Sequence, residues 1–134
     1  MNKKEIRWDQ RFINLKKAFN VLEKAVHIKN PTEVERGGLI QFYEMTFELA
    51  WKTIKDFNES EGLITKSPRD AIKQAIQMEI IQDGHVWMDA IQDRNLTAHI
   101  YDEETVALIV SNIKNRYFKM LKDLIEELEK HEPR

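Results

Sequence analysis

The chain has 134 residues, of which 42% are hydrophobic and 33% charged, with 4 Gly, 3 Pro and no Cys. This length suits one domain, 1–134, that can bury a core unaided, and the missing cysteines exclude disulfides and thiolate metal sites. A formal net charge of −2 argues against a general polyanion binder, so any nucleic-acid contact must be local.

The few breakers and the abundance of Glu, Lys, Leu and Ile predict long helices and argue against a sandwich or barrel. Five helical segments and no strand are expected. The first runs from about Glu5 to His27, with Trp8, Phe12, Leu15, Phe19, Leu22 and Val26 at alternating steps of four and three, a stripe on one helix face. Asn30-Pro31-Thr32 breaks it.

The second begins at Pro31 or Glu33 and reaches Ser60. Leu39, Tyr43, Phe47, Ala50, Trp51, Ile54 and Phe57 form its apolar face. Gly37-Gly38 interrupts it near the start, as a fray, a kink or a place of close backbone approach. Glu61-Gly62 is its stop.

Ser67-Pro68 opens the third helix, with Ser as N-cap and Pro at the first helical position. Ala71, Ile72, Ala75, Ile76, Glu79 and Ile80 follow, and Asp83-Gly84 is the expected stop. The fourth begins near His85, carries Val86, Trp87, Ala90 and Ile91, reaches Arg94-Asn95 and fades near Thr97. Asp102 caps the fifth, whose Val106, Ile109, Ile113, Tyr117, Met120, Leu124 and Leu128 predict the longest helix of the chain. The tail from Lys130 to Arg134 is expected to fray. Short connections between long helices predict an all-α, up-and-down bundle.

No apolar run approaches the ~20 residues of a membrane span. Met1-Asn2-Lys3-Lys4-Glu5 lacks the apolar stretch of a signal peptide, so a cytoplasmic protein is expected.

Chemistry concentrates in Asp93-Arg94-Asn95-Leu96-Thr97-Ala98-His99-Ile100-Tyr101. Arg offers a permanently charged donor fork for phosphate, and His exchanges a proton near neutral pH. Both serve cleavage of RNA: one group removes the 2′-hydroxyl proton and the other stabilises charge on the phosphorus oxygens. On a continuous helix, residues five apart point about 140° away from each other. Arg94 and His99 therefore converge only if the helix ends between them or a second chain supplies the partner. The alternative also stands: Arg94 as a solvated helix residue, His99 as a loop histidine and Tyr101 as a core-edge aromatic.

Glu44, Glu48 and Lys52 follow at steps of four on the second helix, where Glu48 and Lys52 suit an ion pair. Trp51 and Trp87 are expected to fill the core. Arg69 lies just inside a helix N-terminus, a position friendly to anions but most often plain surface. His27, His85 and His131 have no metal-ligand spacing, and no Gly-rich phosphate loop or nucleophile elbow is present.

Arg94-Asn95-Leu96-Thr97-Ala98-His99-Ile100-Tyr101 resembles the R-x4-H-x-Y motif of the HepT-like HEPN family, also called nucleotidyltransferase substrate-binding proteins. Phe47-Glu48-Leu49-Ala50-Trp51-Lys52 resembles the family's second-helix signature. Ser67-Pro68-Arg69 with Ile72 and Ala75 resembles its third-helix start, and Asp83-Gly84 through Trp87, then Asp93-Arg94-Asn95, continues the pattern over nearly the whole chain. The resemblance implies a homodimer of helical bundles whose motif segments face each other. It implies a metal-independent endoribonuclease toxin that needs no cofactor, acts on RNA and is paired with a minimal nucleotidyltransferase antitoxin. It further implies Arg94 and His99 as the catalytic pair, Asn95 as the accompanying polar residue, Tyr101 as acceptor of AMP, and Glu48 and Lys52 in support. A non-catalytic substrate- or nucleotide-binding subunit of a two-component nucleotidyltransferase is the alternative.

Overall fold

A computed structural model describes residues 1–97 and 102–133. Its elements are α1 (Lys3–Val26), α2 (Glu33–Ser60), α3 (Pro68–Gln77), α4 (Gly84–Leu96), α5 (Glu103–Asn112), a π-helical turn (Ile113–Tyr117) and α6 (Phe118–Glu129), the last three forming one rod. No strand occurs among the described residues. The fold is an all-α bundle, as the composition and spacing predict.

Local sequence sets most boundaries. Asn2 caps α1, its side chain accepting from the Glu5 N–H, two residues earlier than the apolar stripe suggests. Thr32 and Glu35 make a reciprocal capping box at the start of α2, a motif that stabilises by about 1 kcal/mol. Ser67 caps α3 with Pro68 behind it, and Asp102 accepts from the Thr105 N–H to open α5. Gly62 ends α2 with φ +85°.

Three expectations are corrected. α2 runs unbroken through Gly37-Gly38, because its capping box and buried downstream face outweigh a propensity cost of about 1 kcal/mol per glycine. At 28 residues α2, rather than the last rod, is the longest helix. α3 stops at Gln77, well before Asp83-Gly84. There Glu79 takes φ 62°, its N–H bonds the Ile76 carbonyl, and the Ile80 N–H bonds the Ala75 carbonyl. This is a Schellman ending with glutamate where glycine is usual, and it leads into buried Ile81.

Cross-helix pairs give the directions. Trp8 stacks on Phe57 at 5.3 Å and Arg11 bonds Asp56 at 3.0 Å, so α1 and α2 are antiparallel. Tyr43 stacks on Tyr117 at 5.5 Å and Phe57 meets His131 at 5.4 Å, so α2 and the last rod run parallel. Phe47 meets Trp87 at 5.9 Å and the Tyr43 hydroxyl donates to the Ala90 carbonyl at 2.8 Å, which makes α4 antiparallel to both. The tail leaves α6 as expected but is tethered, with Glu132 3.6 Å from Lys16.

The three long stripes meet in one core. Trp8, Phe12, Leu15, Phe19 and Leu22 from α1 pack with Leu39, Tyr43, Phe47, Ala50, Ile54 and Phe57 from α2, and with Ile109, Ile113, Tyr117, Met120, Leu124 and Leu128. Each large apolar side chain so buried contributes about 1.5–3 kcal/mol before entropy is counted. α4 closes the bundle through Trp87, Ala90 and Ile91, and this seat positions the next residues, Asp93 and Arg94. No helix among the described residues is long and apolar enough to cross a membrane.

Candidate active site

Arg94 sits in the last turn of α4, where the negative helix end favours a cation. The Thr97 hydroxyl donates to the Arg94 carbonyl at 2.6 Å, and Thr97 is the C-cap. α4 ends at Leu96, two residues past Arg94. His99 and Tyr101 lie outside the described residues. The chain is described again at Asp102, whose carboxylate takes the Thr105 N–H at 2.7 Å.

The Arg94 guanidinium faces α2. Its Nη2 lies 3.9 Å from Glu48 Oε2, while Glu48 Oε1 lies 3.2 Å from Lys52 Nζ. The half-buried Trp51 donates its indole N–H to Glu48 Oε2 at 3.1 Å, so Trp51 is only partly a core residue. Burial would raise the Glu48 carboxyl, but hydrogen bonds from Trp51 and Lys52 and the charges of Lys52 and Arg94 outweigh it, holding Glu48 below the ordinary carboxylate range. Two cations thus share one carboxylate beside the end of α4.

Adjacent helix positions point about 100° apart, and Asn95 faces elsewhere. It lines an open depression of about 320 Å³ with Arg69, Met88, Gln92 and Leu96. Arg69 is exposed, with Nη1 3.5 Å from Met88 Sδ.

A third face of α4 is clamped. Asp93 Oδ2 accepts from the Tyr117 hydroxyl at 2.6 Å and from Asn112 Nδ2 at 3.0 Å. Burial, then the Asp93 hydrogen bond and charge, push the Tyr117 hydroxyl well above its ordinary value, so it stays protonated and donating. Asp89, one turn earlier, accepts from Arg116 at 2.7 Å. Sequence spacing gave no sign of the Tyr117–Asp93 and Asn112–Asp93 contacts. The Trp51–Glu48 contact, at i,i+3, was open to a helical-face search. Among the described residues, no group of three or more His, Asp or Glu is placed to hold a metal.

Solved structures share this architecture. A protein from Thermus thermophilus has 29% identity and a TM-score of 0.75, with 90% of this chain and 99% of that one covered. A Haemophilus influenzae protein described as having the fold of a substrate-binding domain of a nucleotidyltransferase has 24% identity and a TM-score of 0.75, covering 88% and 98%. A tri-AMPylated Shewanella oneidensis HEPN toxin, solved in complex with MNT antitoxin, matches at 15% identity and a TM-score of 0.69, covering 97% and 99%. The last two likenesses are of fold alone.

In sequence, residues 10–130 match the family described as nucleotidyltransferase substrate binding protein like. The chain belongs to that family, that of the HepT-like HEPN proteins. A "probable ribonuclease HepT" of Haemophilus influenzae is 27% identical over 82 residues, a match covering 58% of this chain and 56% of that protein. The chain thus spans little more than half the length of this relative.

Proposed function

We propose that the chain is a metal-independent endoribonuclease, the toxin of a pair whose antitoxin is a minimal nucleotidyltransferase, acting in the cytoplasm as a homodimer. The observation that carries this reading is Arg94, beside Glu48 at 3.9 Å in the last turn of α4, which ends at Leu96. The family membership and the name of the Haemophilus relative support it.

In this reading Arg94 binds the scissile phosphate and stabilises its developing charge. His99 takes the 2′-hydroxyl proton, the 2′-oxygen attacks phosphorus, and the P–O5′ bond breaks as the 5′-oxygen gains a proton. The products are a 2′,3′-cyclic phosphate and a 5′-hydroxyl. Asn95 orients the phosphate or the imidazole, and Lys52 and Glu48 set the local charge. The antitoxin silences the site by moving AMP from ATP to the Tyr101 hydroxyl, with release of pyrophosphate. The added negative charge and bulk then repel RNA.

The test is RNA cleavage in EDTA by the wild type, Arg94→Ala and His99→Ala. Each substitution should lower the rate about 10²–10⁴-fold, and the wild-type ends should be cyclic phosphates. Equal behaviour of all three proteins overturns the proposal in favour of a binding subunit, the reading that the net charge of −2 would then support.

A further inference from the structure

Asn112 and Tyr117 are five residues apart and donate to the same oxygen of Asp93, at 3.0 and 2.6 Å. In an α-helix, side chains five apart diverge by about 140°. They converge here because the rod changes its winding between them. The Phe118 N–H bonds the Ile113 carbonyl, an i→i+5 bond that closes a π turn over Ile113–Tyr117. Such turns are rare and gather at functional sites.

A second residue of the turn is committed to α4. Arg116 reaches Asp89 at 2.7 Å. The Tyr117 ring is fully buried and stacked on Tyr43, whose hydroxyl holds the Ala90 carbonyl. Asp89, Ala90 and Asp93 are therefore pinned on one side of α4, and the next residue in the chain is Arg94, facing α2. A buried tyrosine hydroxyl and a half-buried carboxylate are costly to place inside a fold. Here each satisfies the other across the contact between α4 and the rod.

We propose that Asp93, gripped by Asn112 and Tyr117 across the π turn, is a positioning residue that fixes the orientation of Arg94 and the point where the chain leaves α4. The catalytic part of this rests on the endoribonuclease reading. The grip holds the rotation of the last turn, and so the direction of the guanidinium, to the small tolerance that phosphate chemistry demands.

The experiment uses the full chain and the variants Tyr117→Phe, which keeps the stacked ring, Asn112→Ala, and both together. Melting, the Arg94 Nε–H signal in a ¹⁵N–¹H spectrum (assigned by its loss in Arg94→Lys) and RNA cleavage are measured. The Arg94 signal should move towards that of free arginine in each single variant, and further in the double. For cleavage, kcat should fall about 10–100-fold with KM for RNA within about twofold of wild type. An unmoved Arg94 signal in folded variants overturns the proposal, as does a loss that appears in KM with kcat unchanged. A wild type that cuts no RNA refutes the endoribonuclease reading instead, and the Arg94 signal still decides the positioning role. If Tyr117→Phe does not fold, Asn112→Ala, at the half-exposed edge of the turn, carries the same two readouts.

Discussion

Glu48 and Arg94 stand 3.9 Å apart across the α2–α4 contact, and Glu48 also takes the Trp51 indole and the Lys52 ammonium. The carboxyl is thereby held below its ordinary range. A group depressed in the folded state adds stability that is complete above its unfolded value, about 4.3 for Glu, and lost as pH falls through the folded value. Glu48→Gln should therefore lower stability at pH 7 and converge on the wild type below about pH 4. With the side chain 38% exposed, screening keeps the difference below about 1 kcal/mol. Urea unfolding of both proteins between neutral pH and pH 3 checks this, and a gap that widens in acid contradicts it.

Gly37 is interior to α2, and a Cβ built on it meets nothing within 4 Å. Gly37→Ala should stabilise by about 0.5–1 kcal/mol through helix propensity alone. A raised thermal midpoint is expected, and an unchanged or lowered one contradicts it.

Glu79 holds a left-handed conformation, φ 62°, to end α3, which costs a residue with a Cβ about 1 kcal/mol. Glu79→Gly should therefore gain up to about 1 kcal/mol, seen as a rise of about 2–5 °C in melting. A fall would show that the glutamate side chain outweighs the backbone strain.

Asn58 is buried at the end of α2 and donates to both the Thr65 hydroxyl and the Ala71 carbonyl. Asn58→Ala strands these acceptors and should cost about 1–3 kcal/mol. Denaturant titration reads it directly. A change under about 0.3 kcal/mol, well below the cost of an unmade buried bond, would remove this amide from the forces joining α2 to α3.

The bundle was legible where burial imposes a period. Trp8 to Leu22, Leu39 to Phe57 and Ile109 to Leu128 all face the core at the steps of three and four that the sequence shows. It was illegible where the backbone departs from its usual residue choices. The end of α3 uses Glu79 where glycine would have signalled a stop. The π turn hides because Ile109, Ile113 and Tyr117, at steps of four, suit ordinary winding equally well. In the site, Arg94 and the Glu48–Lys52 pair could be named singly from local spacing. Their meeting depends on how α4 lies against α2, which no local pattern encodes. Asp93 and Tyr117 are 24 residues apart, and no local pattern links them.

The broad turn over Ile113–Tyr117 has a mechanical consequence. Lys114 reaches back to the Ile28 carbonyl just past α1, while Arg116 and Tyr117 reach α4 and Tyr117 leans on α2. Five consecutive residues thus act as a hub with spokes to three helices. The chain just beyond α1 and the base of Arg94 are thereby tied to the same five-residue turn.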